Sequence, residues 1–195
     1  MINTKSLRYI GQFQKLYLLF EQGDEFVLMD QHAAAERVLY ERLLAQAVTH
    51  EVARQALLTP LLWEVSPAQA ETVRSFLGDL AGMGFILEEF GATSFALKEW
   101  PVVLPETKQA KRFLEEILDR YENDRPASPT DIQHQIAARA ACRAAVMAND
   151  ALAVQEVTQL LKDLAACERP MTCPHGRPTH IRMPLQELHR RFRRL

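Results

Sequence analysis

The chain has 195 residues, 48% hydrophobic and 25% charged, with a formal net charge of −2, an ordinary composition for a folded globular chain. Three cysteines are too few for a disulfide scaffold, no apolar run reaches the roughly 20 residues of a membrane span, and residues 1–5 open no signal-peptide core. A soluble intracellular protein without a membrane partner is expected. The charge is uneven: from residue 169 onward there are seven arginines against Glu187 alone, a net of +6, which leaves −8 for the rest.

In chain order, residues 7–21 are rich in Tyr, Phe, Leu and Ile and predict a strand. Gly23-Asp24 signals a turn, and residues 25–29 predict the return strand of a hairpin. Asp30 then stands where a helix over 31–46 begins, with Val38, Leu39, Leu43 and Leu44 at helical spacing, so Asp30 is a natural N-cap. Residues 56–65 predict a strand that Pro60 bends or places at an edge. Ser66-Pro67 opens a helix to about residue 83, and residues 84–90 and 93–103 form a second hairpin. Helix is expected over 108–122, then a Pro-rich linker over 123–129. A long helix capped by Thr130 or Asp131 should run to Met147, with Asn149-Asp150 breaking it. A helix over 154–167, a Pro/Gly-bounded loop over 168–178, a short strand and a helix over 184–193 complete the chain. This is an α+β pattern. It predicts a discontinuous subdomain, residues 1–62 and 130–195, interrupted by a smaller outer one, residues 63–129.

Three segments carry chemistry. In Asp30-Gln31-His32-Ala33-Ala34-Ala35-Glu36, His32 and Glu36 are four residues apart and share a helix face, which brings an imidazole and a carboxylate within reach of one cation. In Cys173-Pro174-His175-Gly176-Arg177-Pro178, a thiolate and an imidazole two residues apart form a donor pair that suits zinc. Cys142 lies in an Ala-rich helix and becomes a ligand only if the other segments meet it. His32, Glu36, Cys142, Cys173 and His175 suffice for one closed site or two shared open ones. Cys167 has no nearby histidine and should pack as a small hydrophobe.

With these residues in place, the chain resembles the C-terminal domain of the MutL mismatch-repair family, of the kind that carries an endonuclease site. Residues 30–41 are similar to that family's signature, Asp-Gln-His-Ala, two residues, Glu, four residues, Glu. Ala141-Cys142-Arg143 and residues 173–178 are similar to its two later motifs, in the same order. The resemblance spans nearly the whole chain. It implies a two-subdomain fold whose larger, discontinuous part dimerises and carries the metal motifs. It implies a homodimeric, metal-dependent endonuclease that nicks one strand of duplex DNA, located in the bacterial cytoplasm at the nucleoid, with an ATPase domain preceding residue 1.

By position, His32, Glu36, Cys142, Cys173 and His175 match the family's zinc ligands, and Asp30, with Glu36, matches the acids needed for nicking. A carboxylate beside such a site could hold Mn²⁺ or Mg²⁺ as well as Zn²⁺. Glu41 is expected to pair with a nearby arginine. Gln55-Ala56-Leu57-Leu58-Thr59-Pro60 resembles the Gln-x-Leu/Ile-x-Pro motif by which bacterial proteins bind the replicative sliding clamp, through Gln55, Leu57, Leu58 and Pro60. Arg177 and the tail residues Arg190, Arg191, Arg193 and Arg194 are candidate phosphate contacts. They would give weak intrinsic DNA binding, with the clamp and other mismatch-repair proteins delivering the domain. The competing reading is a non-catalytic dimerisation and partner-docking module with structural zinc, in which Asp30 is only a cap.

Overall fold

The computed structural model describes residues 6–104, 109–124, 128–146 and 151–194. Lys108, residues 125–127 of the expected linker, and Met147 with the Asn149-Asp150 break lie outside them. Helices and antiparallel sheets make this an α+β protein. Two compact units are present, Met1–Glu41 with Ala141–Leu195, and Arg42–Ala140.

In the first unit, the expected strand over 7–21 is two strands, β1 (Arg8–Phe13) and β2 (Tyr17–Gln22). The chain reverses at Gln14 and Lys15, both at φ 54, with the Leu16 N–H donating to the Phe13 carbonyl at 3.0 Å. No Gly, Asn or Pro marks that turn, so its composition hid it. β3 (Glu25–Asp30) and β7 (His180–Pro184) complete an antiparallel sheet ordered β1-β2-β3-β7. Alternation gives this sheet one buried face: Leu18, Phe20, Val27 and Met29 pack against Ala34 and Val38 of α1 (Gln31–Val48) and Val157, Leu161 and Leu164 of α5 (Val154–Ala166). Each such large side chain contributes about 1.5–3 kcal/mol by leaving water. The short helix α6 (Leu185–Arg191) follows β7.

The second unit holds the sheet β4-β6-β5, built from β4 (Arg54–Glu64), β5 (Ile86–Glu89) and β6 (Ser94–Pro101), with helices α2 (Pro67–Gly82) and α3 (Ala110–Asn123). The capping box of α2 is complete: Ser66 Oγ accepts the Gln69 N–H at 3.2 Å, and Gln69 Oε1 accepts the Ser66 N–H at 3.1 Å. Phe85, Trp100 and Phe113 form an aromatic core, with centroids 5.0–5.6 Å apart.

The unit boundaries fall inside α1 and inside α4 (Pro129–Val146), not at 62/63 and 129/130 as expected. Antiparallel pairing of β4 with β6 holds β4 in the second unit. The N-cap of α4 is also revised. Ser128 Oγ accepts the Asp131 N–H at 3.2 Å, the role expected of Thr130 or Asp131. No described helix is long and apolar enough to cross a membrane.

Candidate metal centre

Register places the start of α1. The Asp30 N–H donates to the Thr179 carbonyl at 2.9 Å, and the Gln31 N–H to the Leu16 carbonyl at 3.0 Å. Asp30 Oδ1 accepts the Ala33 N–H at 3.0 Å, so Asp30 does cap the helix. One turn in, His32 and Glu36 share a face, with Nε2 and Oε1 3.3 Å apart. The His32 ring is oriented from behind. Its Nδ1 lies 3.2 Å from the Ala145 carbonyl, which takes an N–H from that nitrogen and leaves Nε2 toward Glu36.

The loop over 168–178 brings the other donors. Cys173 is 1% exposed, and its N–H donates to the Arg177 carbonyl at 2.8 Å, while the Gly176 N–H donates back to the Cys173 carbonyl at 3.0 Å. Gly176 has φ +83, a conformation that only glycine adopts without strain. This tight turn directs His175 Nδ1 to 3.6 Å from Glu36 Oε2.

The five predicted donors therefore come together, all within the first unit, as two triples. His32, Glu36 and Cys142 form one, and Glu36, Cys173 and His175 the other, with the ligand atoms of each within 4.8 Å of one another. Glu36 belongs to both. A tetrahedral ion with bonds of about 2.0–2.3 Å sets neighbouring donors roughly 3.3–3.8 Å apart, so the printed contacts of 3.3 and 3.6 Å fit. Glu36 is 0% exposed, and neither carboxylate oxygen has a hydrogen-bond partner. Burying a carboxylate uncompensated costs several kcal/mol. A cation on each side, held with thiolate and imidazole, would meet that demand.

Asp30 is not in either triple. Glu41 pairs with Arg37, as expected, at 3.4 Å. It also accepts the Glu168 and Arg169 N–H groups at 2.7 and 3.1 Å, which the sequence did not reveal. Burial, with the Glu41 carboxylate close by, pushes the Cys167 thiol up to about 12. It stays a thiol and packs against the core. Arg177 is exposed on the loop over 168–178. In the tail, Arg190 and Arg191 are tied to Glu187 at 2.7 and 3.0 Å, while Arg193 and Arg194 are exposed. In the second unit, Gln55 is exposed and paired in register with Trp100, and the register shifts between Ala56 and Leu61. Residues 57–60 lie in that bulge at the sheet edge, with Leu58 fully exposed, Pro60 exposed and Leu57 partly covered.

An α+β fold with a Cys/His cluster gathered around a buried, shared carboxylate near the start of its first helix defines a class of metal-competent domain, and comparison with known proteins supplies the family. Residues 10–152 match the family model described as the MutL C terminal dimerisation domain. The chain is 37% identical over 189 residues to the DNA mismatch repair protein MutL of Caldanaerobacter subterraneus subsp. tengcongensis, covering 97% of this chain and 32% of that protein. It is 39% identical over 194 residues to that of Symbiobacterium thermophilum and 36% over 191 residues to that of Koribacter versatilis, again covering 97% of this chain and 30% and 29% of those proteins. The chain belongs to the MutL C-terminal dimerisation domain family. It spans about a third of the length of these relatives.

Proposed function

We propose that this domain is a metal-dependent endonuclease that nicks one strand of duplex DNA in mismatch repair, working as a homodimer in the bacterial cytoplasm. The observation that carries the reading is Glu36: a fully buried carboxylate with both oxygens unsatisfied, one facing His32 and the other facing His175. His32, Glu36 and Cys142 would hold one ion, and Glu36, Cys173 and His175 a second. The thiolate and imidazole donors suit Zn²⁺, and the carboxylate oxygens of Glu36 suit Mn²⁺ or Mg²⁺ as the ion used in nicking. A bound ion supplies the charge that polarises a phosphoryl group and makes water a nucleophile near neutral pH. The chain's own groups do the rest. The Ala145 carbonyl keeps His32 Nε2 aimed at the site, Arg177 offers a planar fork to a phosphate, and Asp30 places a carboxylate at the helix start, next to the histidine segment. Arg193 and Arg194 add salt-sensitive DNA contacts, and residues 55–60 dock the sliding clamp.

Nicking of supercoiled plasmid with Mn²⁺, with and without a sliding clamp, tests this. Glu36→Gln should reduce nicking to background. Asp30→Asn should do the same with little change in stability, because asparagine caps a helix as well as aspartate. The capping bond of Asp30 favours the competing reading, a zinc-stabilised dimerisation and docking module. That reading stands if the chain joined to its ATPase domain, with clamp, fails to nick, or if Asp30→Asn nicks normally.

A further inference from the structure

We infer that Arg37 and Glu41 form a brace that sets the position of the Cys173/His175 half of the cluster, making both residues positioning residues for one ion and not the other. This rests on the metal reading above. The helix α1 carries two adjacent pairs at i,i+4 spacing: His32 with Glu36, which point donors at the site, and Arg37 with Glu41, which reach the loop. Arg37 is buried, and its charge is met from three directions. Its Nε donates to the Thr172 carbonyl at 2.5 Å, its Nη1 lies 3.4 Å from Glu41 Oε1, and its guanidinium stands 5.2 Å from the centroid of the Tyr40 ring.

Glu41 holds the Glu168 and Arg169 N–H groups. The stretch leading into Cys173 is thus tied to α1 at both its ends, by N–H groups at 168–169 and a carbonyl at 172. From the other side, the Thr179 hydroxyl donates to the Pro170 carbonyl at 2.6 Å and the Thr179 N–H to the Met171 carbonyl at 3.0 Å.

The loop's own pairing is a single antiparallel bridge, Thr172 with Pro178, closing a short turn around Cys173, so these straps determine where that turn, and Cys173 in it, sits against α1. Arg37 follows Glu36 in sequence, and its bond to Thr172 adjoins Cys173, so the brace registers the second triple directly against the shared carboxylate. The first triple does not depend on that loop: His32 and Glu36 are on α1, and Cys142 is on α4. A donor displaced by about 1 Å no longer meets the geometry a metal requires.

Co²⁺ titration separates the two halves, since each cysteine thiolate gives its own charge-transfer band in a background where the other cysteine is serine. With Cys142→Ser, adding Arg37→Gln or Glu41→Ala should weaken Co²⁺ binding reported by Cys173 at least tenfold. With Cys173→Ser, the same substitutions should leave Co²⁺ binding reported by Cys142 within twofold. Arg37→Lys, which keeps a donor for Thr172 but lacks the fork, should recover part of the loss. In the metal-free protein, Glu41→Ala should speed amide exchange at Glu168 and Arg169 at least tenfold and leave Phe20 and Val27 unchanged. The brace is overturned if both bands weaken together while exchange in β2 and β3 stays slow, if neither weakens, or if the 168 and 169 amides do not respond. Absence of any thiolate band in the unsubstituted chain would overturn the metal reading, and the brace with it.

Discussion

His180 sits on β7 opposite Met29, 7% exposed, with Nδ1 3.1 Å from Thr179 Oγ1. The Thr179 hydroxyl spends its proton on the Pro170 carbonyl, so His180 Nδ1–H donates to that oxygen and Nε2 is left as a bare, buried lone pair without a partner among the described residues. Burial, then the charge of Arg182, lowers the imidazole's pKa below its ordinary value. The unfolded chain binds a proton at this residue near pH 6.5 while the folded one declines it, so stability falls as pH drops below about 6.5 until the folded pKa is reached. The slope is at most about 1.4 kcal/mol per pH unit for one proton. Urea unfolding between pH 7.5 and 5, with chelator present, should show this loss, and His180→Leu should flatten it by up to one proton. An unchanged slope in the variant would assign the pH response to other groups. Composition gave no sign of this histidine, because its character comes from pairing between residues about 150 positions apart.

At the scale of elements, β4 joins a buried, paired stretch to an exposed one. Trp63 is buried and in register with Phe95, whereas residues 57–60 leave the ladder and present Leu58 to solvent. An exposed leucine in an edge bulge contributes little to folding, so Leu58→Glu should change stability by no more than about 0.5 kcal/mol. As an anchor for the sliding clamp it should matter far more, costing about 2 kcal/mol or roughly thirtyfold in affinity. Fluorescence titration against the clamp, beside thermal unfolding, reads both. Clamp affinity unchanged in the variant would leave this segment as a bent sheet edge. The same strand marks what local sequence could convey. Ser66-Pro67 foretold α2 because its cap is made within four residues. Four of the five donors were legible because a helical i,i+4 pair and a short Cys/His loop are local signals, whereas Cys142 depended on distant segments meeting it. The placement of β4 with the second unit depended on pairing with β6, and the Arg37–Thr172 bond joins residues 135 apart; neither leaves a mark in any short window.

For the molecule as a whole, the sheet of the first unit poses the remaining question of burial. Its inner face is covered by α1 and α5. By register, the outer face aligns Leu19 with Leu28, Leu28 with Ile181, Phe26 with Met183 and Tyr17 with Phe13. Phe13 and Ile181 remain 56% and 52% exposed, and Ile10 51%. A contiguous apolar sheet face of this kind is a typical docking surface. The family's dimerisation makes a second copy the expected occupant, meeting this face across a two-fold axis so that each substitution would enter the interface twice. Ile181→Glu would bury two unpaired carboxylates per dimer, each costing about 1–3 kcal/mol even when partly relieved by water. The dimer dissociation constant should therefore rise by roughly a hundredfold or more. Phe90→Glu, at a 70% exposed residue of the other unit, is the matched control and should leave it unchanged. Sedimentation equilibrium on both variants decides the matter: a dimer that survives Ile181→Glu but weakens with Phe90→Glu would move the interface to the second unit.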